Sequence, residues 1–573
     1  MNKREWLSAV CAAAGTGLLW ALSGWTHGWL WLAAALAAAW AGVRFSREQD
    51  ARLKRCFGWL GAAGALAAGL VVRLNAAGMT GWAALGLIAL ETVLLYPAIA
   101  QGWIGLMRVL CKGKKPFAGR SAFWLAFGVL VACWLPVYLA VFPGVTGYDV
   151  EALITQHTRG IYVDGHPIAH TLLVGLFYRL GTDVLGRAEY GFGLFTALQM
   201  LSLAAAYAYA LYWLSCRRCP RAVWIGVLVL FALAPQHGLM ASTVTKDILF
   251  SAVLLVLAVE VCRFLMEAER ARRKAVWLAD LALVIAATLL RKNMILAWVF
   301  VLVLYVCVAA FRRVIGRRFA ALLLAGMVIG LGSETALKAA VDAQPGTVRE
   351  LLCIPCQQLS RVYHLYGLDE PVGYEVLENL PFAEDYSPER ADFTKRQARV
   401  DTPDRLVRFL KLWLRESVHF PVEYLDAFLY TNMAYWDWTD TDYAYTYDNE
   451  SNGPRGSMTL HHNPHSQMQT MSLLPGLRET YNRLFTDNEA QQILPIRLLI
   501  HPALYVWLFG FALAWAICCR QRAALLALSI AGAYLATLVL GPCALIRYCF
   551  YLMSIAPVML ALLTACGEEI GHV

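Results

Sequence analysis

Residues 142–171, FPGVTGYDVEALITQHTRGIYVDGHPIAHT, follow a long apolar run and gather Asp149, Glu151, His157, Asp164, His166 and His170 in one short stretch. Asp149 comes a few residues after that run ends. VEALITQHTRG beyond it reads as a short helix, with Gly165 and Pro167 marking its exit. A carboxylate held at a membrane face between apolar walls has its basicity set by burial and neighbouring charge. The competing role for Asp149 is to cap the helix that follows it.

Three further groups carry charge to the same side. STVTKDILF brings Lys246 and Asp247 to the start of an apolar segment. The acid suits a helix N-terminus, and the ammonium can snorkel to the interface or hold a phosphate. LLRKNMI sets Arg291, Lys292 and Asn293 in a tight turn between two apolar runs, and ALIRYCF puts Arg547 at the outer end of the last one. Ionisable residues in or near a span are functional candidates, with snorkelling as the competing account. One acid with several cations suits a reaction whose leaving group is an anionic phosphate. The cations stabilise charge developing on the departing group, and the acid takes the proton of an attacking sugar hydroxyl. The expected chemistry is glycosyl transfer from a lipid-linked donor.

The elements that must position these groups follow from composition. The chain has 573 residues, 59% hydrophobic and 16% charged, with a mean hydropathy of +0.53 and 20 tryptophans. Soluble proteins carry about a quarter charged residues, and indoles favour the bilayer interface. The chain therefore reads as an all-α polytopic membrane protein. A span needs about 20 apolar residues. Fourteen candidate segments occur, near 6–24, 28–44, 56–72, 81–108, 121–143, 189–214, 221–235, 246–266, 275–290, 294–311, 319–336, 497–518, 522–540 and 544–566. The basic start followed by an apolar core reads as a retained first span rather than a cleaved signal.

With the N-terminus inside, RFSREQDARLKR, CKGKKPFAGR, CRRCPR, EAERARRK, FRRVIGRR and CCRQR all fall on the cytoplasmic side. The net charge of +9 thus belongs to short loops and implies no nucleic acid. Both termini are then cytoplasmic. This holds if 167–181 is re-entrant or interfacial rather than a crossing. Segments 144–188, the turn near 245, the RKN turn, 337–496 and GPCALIR all lie outside.

Region 337–496 is long enough for an external module of mostly helical character. TPDRLVRFLKLWLRESVHFP reads as an amphipathic helix: Thr402 caps it, Pro403 takes the first position, and Leu406, Phe409, Leu410 and Trp413 share a face. Cys353 and Cys356 in CIPC have redox spacing but no thioredoxin-like context, so a local disulfide or two inert thiols is expected. The stretch 430–450 alternates Tyr435, Trp436, Trp438, Tyr443, Tyr445 and Tyr447 with acids, a pattern suited to stacking sugars or to an interfacial belt. His461, His462 and His465 lack regular metal-ligand spacing, and a divalent metal is not indicated.

The motifs FPGVTGYD…Q…DGHPIAHTLL, TKDILF, LLRKN, IPCQQLSRV, FLKLWL…FPVEYLDAFLYTNMAYWDW and IRY resemble a bacterial membrane-protein family of unknown function, itself similar to the GT-C superfamily of polyprenyl-phosphate-sugar-dependent glycosyltransferases. The resemblance runs from about residue 121. It implies an N-terminal extension of about four spans (1–120), a GT-C-like transmembrane core (121–336) with external loop 144–188, an external region (337–496) and C-terminal spans (497–573). It implies that Asp149, with Asp164 as second choice, is the catalytic acid, and that Lys246, Arg291 and Arg547 hold a polyprenyl phosphate. Tyr148, Gln156, His166, His170, Asp247, Asn293, Gln357, Gln358, Arg361 and Trp436 are its further substrate-binding candidates. The paired acids usual in that loop are replaced here by YDVE. The implied partners are membrane lipid, a polyprenyl-linked sugar donor and a glycan acceptor. A lipid flippase or transporter, and a polysaccharide polymerase or ligase, are the alternatives; a transporter should place its ionisable groups nearer the bilayer midplane.

Overall fold

The computed structural model describes all residues except 1, 24–27, 76–80, 112–118, 120, 147, 268–272, 313–316, 369–370, 440–468, 470, 487–488 and 567–573. The aromatic and acidic residues from 440 onward, the sequon at 449–451 and His461, His462 and His465 therefore lie outside the described residues.

The fold is all-α, with one two-residue strand pair. Among the described residues, seven helices are long and apolar enough to cross a membrane, or up to nine if each of two bent pairs makes one span. The seven include Ala122–Ala140, Ala188–Cys216, Lys246–Met266, Phe319–Ala340 and Ile546–Ala565. The bent pairs are Arg221–Leu233 with Pro235–Ala241, and Leu494–Ile500 with Pro502–Cys518. Proline explains both bends, since it lacks an N–H and disfavours helical geometry in the residue before it. The expected count of about 14 is not reached by this measure. Lys274–Leu290 and Arg522–Leu538 are helical where spans are expected, but at 17 residues each they are shorter than a crossing of ordinary length.

Contacts sort the loop ends into two groups. At one end Arg52 reaches the Ile517 carbonyl, Arg108 pairs with Glu48, and Arg217 pairs with Glu267. At the other lie the contacts of Asp149, Asp164 and Asp426. Helix Ile168–Arg179 runs on into a π-helical stretch over Leu180–Val184. Phe177 and His170 both pack on Phe195 of the next helix.

The helices of region 337–496 share their own core of Cys356, Leu359, Val362, Val376, Phe409, Leu412 and Tyr424. Helix Pro403–His419 supplies part of it. The Thr402 side chain accepts from Arg405 N, Phe409 is buried, and Leu406, Leu410 and Trp413 pack beside it. Its apolar face is thus covered by protein. Cys353 and Cys356 are buried free thiols, and burial pushes the Cys353 thiol up to about 11. A thiol so protonated is a poor nucleophile.

The N-terminal helices join the rest at both ends. Phe57 and Trp103 pack on Phe511, with ring centroids 6.0 and 5.1 Å apart. At the other end, Arg73 of helix Ala51–Asn75 forms a two-pronged, buried ion pair with Asp426. Arg361 approaches the same carboxylate at 3.4 Å, and the Tyr430 hydroxyl donates to the Leu74 carbonyl at 2.5 Å. Removing one partner of a buried pair strands the other charge at a cost of about 3–5 kcal/mol. Asp426→Ala is therefore expected to lower the unfolding temperature of the detergent-purified protein by several degrees. An unchanged temperature would mean that this contact does not hold the N-terminal helices to region 337–496.

Candidate functional site

Val145–Thr146 and Thr243–Val244 pair in parallel, Val145 opposite Thr243 and Thr146 opposite Val244. Parallel strands leave the pairing in the same direction. Each is followed within a few residues by a helix, Tyr148–Arg159 from the first and Lys246–Met266 from the second. Asp149 and Lys246, 97 positions apart in sequence, consequently occupy the first turns of two helices that start side by side.

Close packing secures the pairing. Gly144 has φ +137°, and a Cβ there would meet Thr196 Cγ2 at 2.5 Å and the Ser242 carbonyl at 3.0 Å. Val145 N donates to that carbonyl at 2.9 Å. Thr196 Oγ1 donates to the Pro143 carbonyl at 2.7 Å, and Gln199 Nε2 donates to the carbonyls of Ala241 and Thr243. A third helix, Ile546–Ala565, begins at the same place and carries Arg547 in its first turn.

Asp149 Oδ2 accepts from Arg547 Nη1 at 2.8 Å and lies 3.7 Å from Lys246 Nζ. Burial works to raise the Asp149 carboxyl, but the charges of Arg547 and Lys246 outweigh it. They hold the group well below the usual carboxylate range. Lys246 Nζ also donates to His166 Nδ1 at 3.1 Å. Burial, with Lys246 next to it, pushes His166 down to about 4, so its ring is neutral at physiological pH and accepts that bond.

Arg291, which closes helix Lys274–Leu290, forms an ion pair with Asp247. The Thr245 side chain caps the helix of Asp247, and its hydroxyl donates to Asp247 Oδ2 at 2.8 Å. The Tyr548 ring carries both guanidinium groups, with Arg291 5.3 Å and Arg547 5.0 Å from its centre. Three basic side chains thus face two carboxylates. Arg291 Nε is buried and bonds no acceptor among the described residues. His170 is buried against Phe195, and neither of its ring nitrogens has a partner there.

Asp164 is held elsewhere on the same loop. Its carboxylate pairs with Lys292 and, at 2.9 Å, with Lys338. Asp164 N donates to the Gln344 carbonyl, and Gln344 N donates to the Tyr162 carbonyl, each at 2.8 Å. Burial works to raise this carboxyl too, and the two ammonium partners lower it on balance. The arrangement anchors the loop that carries His166.

The other sequence-derived candidates divide by position. Gln156 closes the same loop by accepting from Val163 N at 3.0 Å. Tyr148 opens the Asp149 helix, and Asn293 lies exposed in the turn beside Arg291. Gln357, Gln358 and Arg361 engage groups within region 337–496 instead. Gln357 donates to the Pro388 carbonyl, Gln358 links Trp413 to the Tyr424 carbonyl, and Arg361 approaches Asp426 and the Tyr430 ring. Trp436 donates to the Leu429 carbonyl and its own carbonyl accepts from Trp507. Tyr548 and Lys338 were not singled out from the sequence. Lys338 could have been, as a cation in the last turn of a long apolar helix. Among the described residues, no three His, Cys, Asp or Glu side chains gather as metal ligands.

The chain matches a family of unknown function, DUF6020, over residues 153–569. It belongs to that family. The match takes in His166, Lys246, Arg291 and Arg547 and begins four residues after Asp149. No curated protein and no solved structure matches the chain.

Gly144→Ala tests the strand pairing. Backbone strain of about 1–3 kcal/mol adds to the clash with Thr196, so the unfolding temperature should fall clearly. Gly160→Ala, at φ +68° with nothing within 4 Å of its Cβ, should cost only about 1–2 kcal/mol. Equal losses from the two would contradict the close-packing account.

Proposed function

We propose that the protein is a membrane glycosyltransferase of GT-C type. It would transfer a sugar from a polyprenyl-phosphate donor to a cell-envelope glycan or lipid acceptor at the outer face of a bacterial plasma membrane. The observation that carries this reading is the gathering of Asp149, Lys246, Arg291 and Arg547, distant in sequence, at one end of an apolar helix bundle. A lipid phosphate needs cations at the depth where its isoprenoid chain enters the bilayer, and helix ends provide that depth. Three helices start at this place, and their partial positive ends add to the same field.

In the proposed reaction the acceptor hydroxyl oxygen attacks the anomeric carbon and its proton passes to Asp149. The bond from that carbon to the phosphate oxygen breaks, and its electron pair stays on the phosphate. Lys246, Arg291 and Arg547 stabilise the charge that develops there. Asp247 and Tyr548 position two of these cations rather than react. The arrangement of spans and termini read from the charge pattern, with about 14 crossings and both termini cytoplasmic, belongs to this proposal.

Position near helix ends, rather than at the bilayer midplane, favours transfer over transport. The test is sugar transfer by purified, lipid-reconstituted protein supplied with a polyprenyl-phosphate sugar. Asp149→Asn should lower the rate by about 10²–10⁴-fold while the protein stays folded. A rate within a few-fold of wild type would remove Asp149 from the mechanism. Attaching a membrane-impermeant thiol reagent at Asp149→Cys in intact cells should succeed from outside, and protection there would reverse the assigned sidedness.

A further inference from the structure

Asp149 is held by the very cations that a phosphate ligand would need. Its Oδ2 sits 2.8 Å from Arg547 Nη1 and 3.7 Å from Lys246 Nζ. Both cations have little solvent around them, with 13% and 12% of their side chains exposed. Two other polar groups at the site point to a ligand still to come. Arg291 Nε and the ring nitrogens of His170 are buried without partners among the described residues. A buried donor without a partner is costly, so a bound anion would be stabilised by accepting from Arg291 Nε and from the one N–H of the His170 ring.

We propose that Asp149 acts as an internal stand-in for the ligand, occupying Arg547 and Lys246 until the phosphate head group of an isoprenoid lipid takes both cations over. This rests on the reading of the site as a polyprenyl-phosphate site and deepens it. The exchange couples binding to chemistry. While Arg547 and Lys246 hold the carboxylate, its negative charge is stabilised and its basicity suppressed. Once the phosphate draws the cations away, Asp149 loses that stabilisation and becomes the better proton acceptor. The site would then hold a competent base only when a donor is bound, which protects the reactive geometry from water in the empty state.

The exchange has an unusual consequence for affinity. Removing the Asp149 charge should tighten phosphate binding, because the ligand no longer competes with a built-in carboxylate. A carboxylate serving mainly to shape the pocket would have the opposite effect when removed. The probe is farnesyl phosphate, titrated into detergent-purified full-length protein by calorimetry, with farnesol and inorganic phosphate as companions. Asp149→Asn is expected to bind farnesyl phosphate about tenfold more tightly than wild type, the scale of coupling between a ligand and an internal contact. Farnesol affinity should not change, and Arg547→Gln should weaken farnesyl phosphate in both backgrounds. Asp149→Ser puts the same question should the amide variant fail to fold. If wild type prefers farnesyl phosphate to farnesol but the Asp149 variants bind it equally or more weakly, the stand-in role is overturned and the lipid-phosphate reading survives. If no form prefers farnesyl phosphate to farnesol, both are overturned. Inorganic phosphate binding as tightly as farnesyl phosphate would contradict a lipid as the source of the head group.

Discussion

Two residues of parallel pairing fix the geometry on which the rest depends. Val145–Thr146 and Thr243–Val244 are too short to matter as a sheet, but their register sets where two helices begin. Parallel pairing demands a long crossover, and here the crossover is the stretch containing Ile168–Arg179, Ala188–Cys216 and the bent pair ending at Ala241. Helix Ala188–Cys216 passes behind the pairing, and its Thr196 and Gln199 bond the backbone on each side. The membrane helices thus supply the rigidity, and the strands convert it into the placement of Asp149 beside Lys246.

Charge could not be gathered at this depth without mutual support. A single buried cation is expensive, and partners with good geometry offset the cost. Each cation here has one: Asp149 for Arg547 and Lys246, Asp247 for Arg291, with Tyr548 between the two guanidinium groups. The pairing is unequal. Asp247 is almost wholly enclosed and capped by Thr245, whereas Asp149 keeps 23% of its side chain exposed. The enclosed pair reads as fixed structure and the open one as the part able to exchange partners. Such asymmetry lets one acid support the site while another takes part in its chemistry.

Much of this was legible in the sequence, and the reasons differ by element. Apolar runs announce helices in a membrane because backbone groups there must bond within the segment. Thr402, Pro403 and the spacing of Leu406, Phe409, Leu410 and Trp413 likewise announce their helix, since capping and periodicity are local. The candidate cations Lys246, Arg291 and Arg547 stood out by position against the charge bias. Their convergence did not, because it depends on a strand register between residues about 100 apart. Gln357, Gln358 and Arg361 tie together the helices of region 337–496 and, through Asp426, the N-terminal ones. The family resemblance made Asp164 the second choice for the catalytic acid. Lys292 and Lys338, which engage it, come from far along the chain.

The central claim is that one phosphate is gripped by cations brought together from three helices. An experimental map of the protein with a non-hydrolysable polyprenyl-phosphate sugar analogue tests it most directly. The account requires the phosphate within hydrogen-bonding distance of Arg547 and Lys246, near Arg291, with Arg547 drawn off Asp149 and the isoprenoid chain running into the apolar bundle. A phosphate seated elsewhere, with the Asp149–Arg547 contact intact, would contradict it.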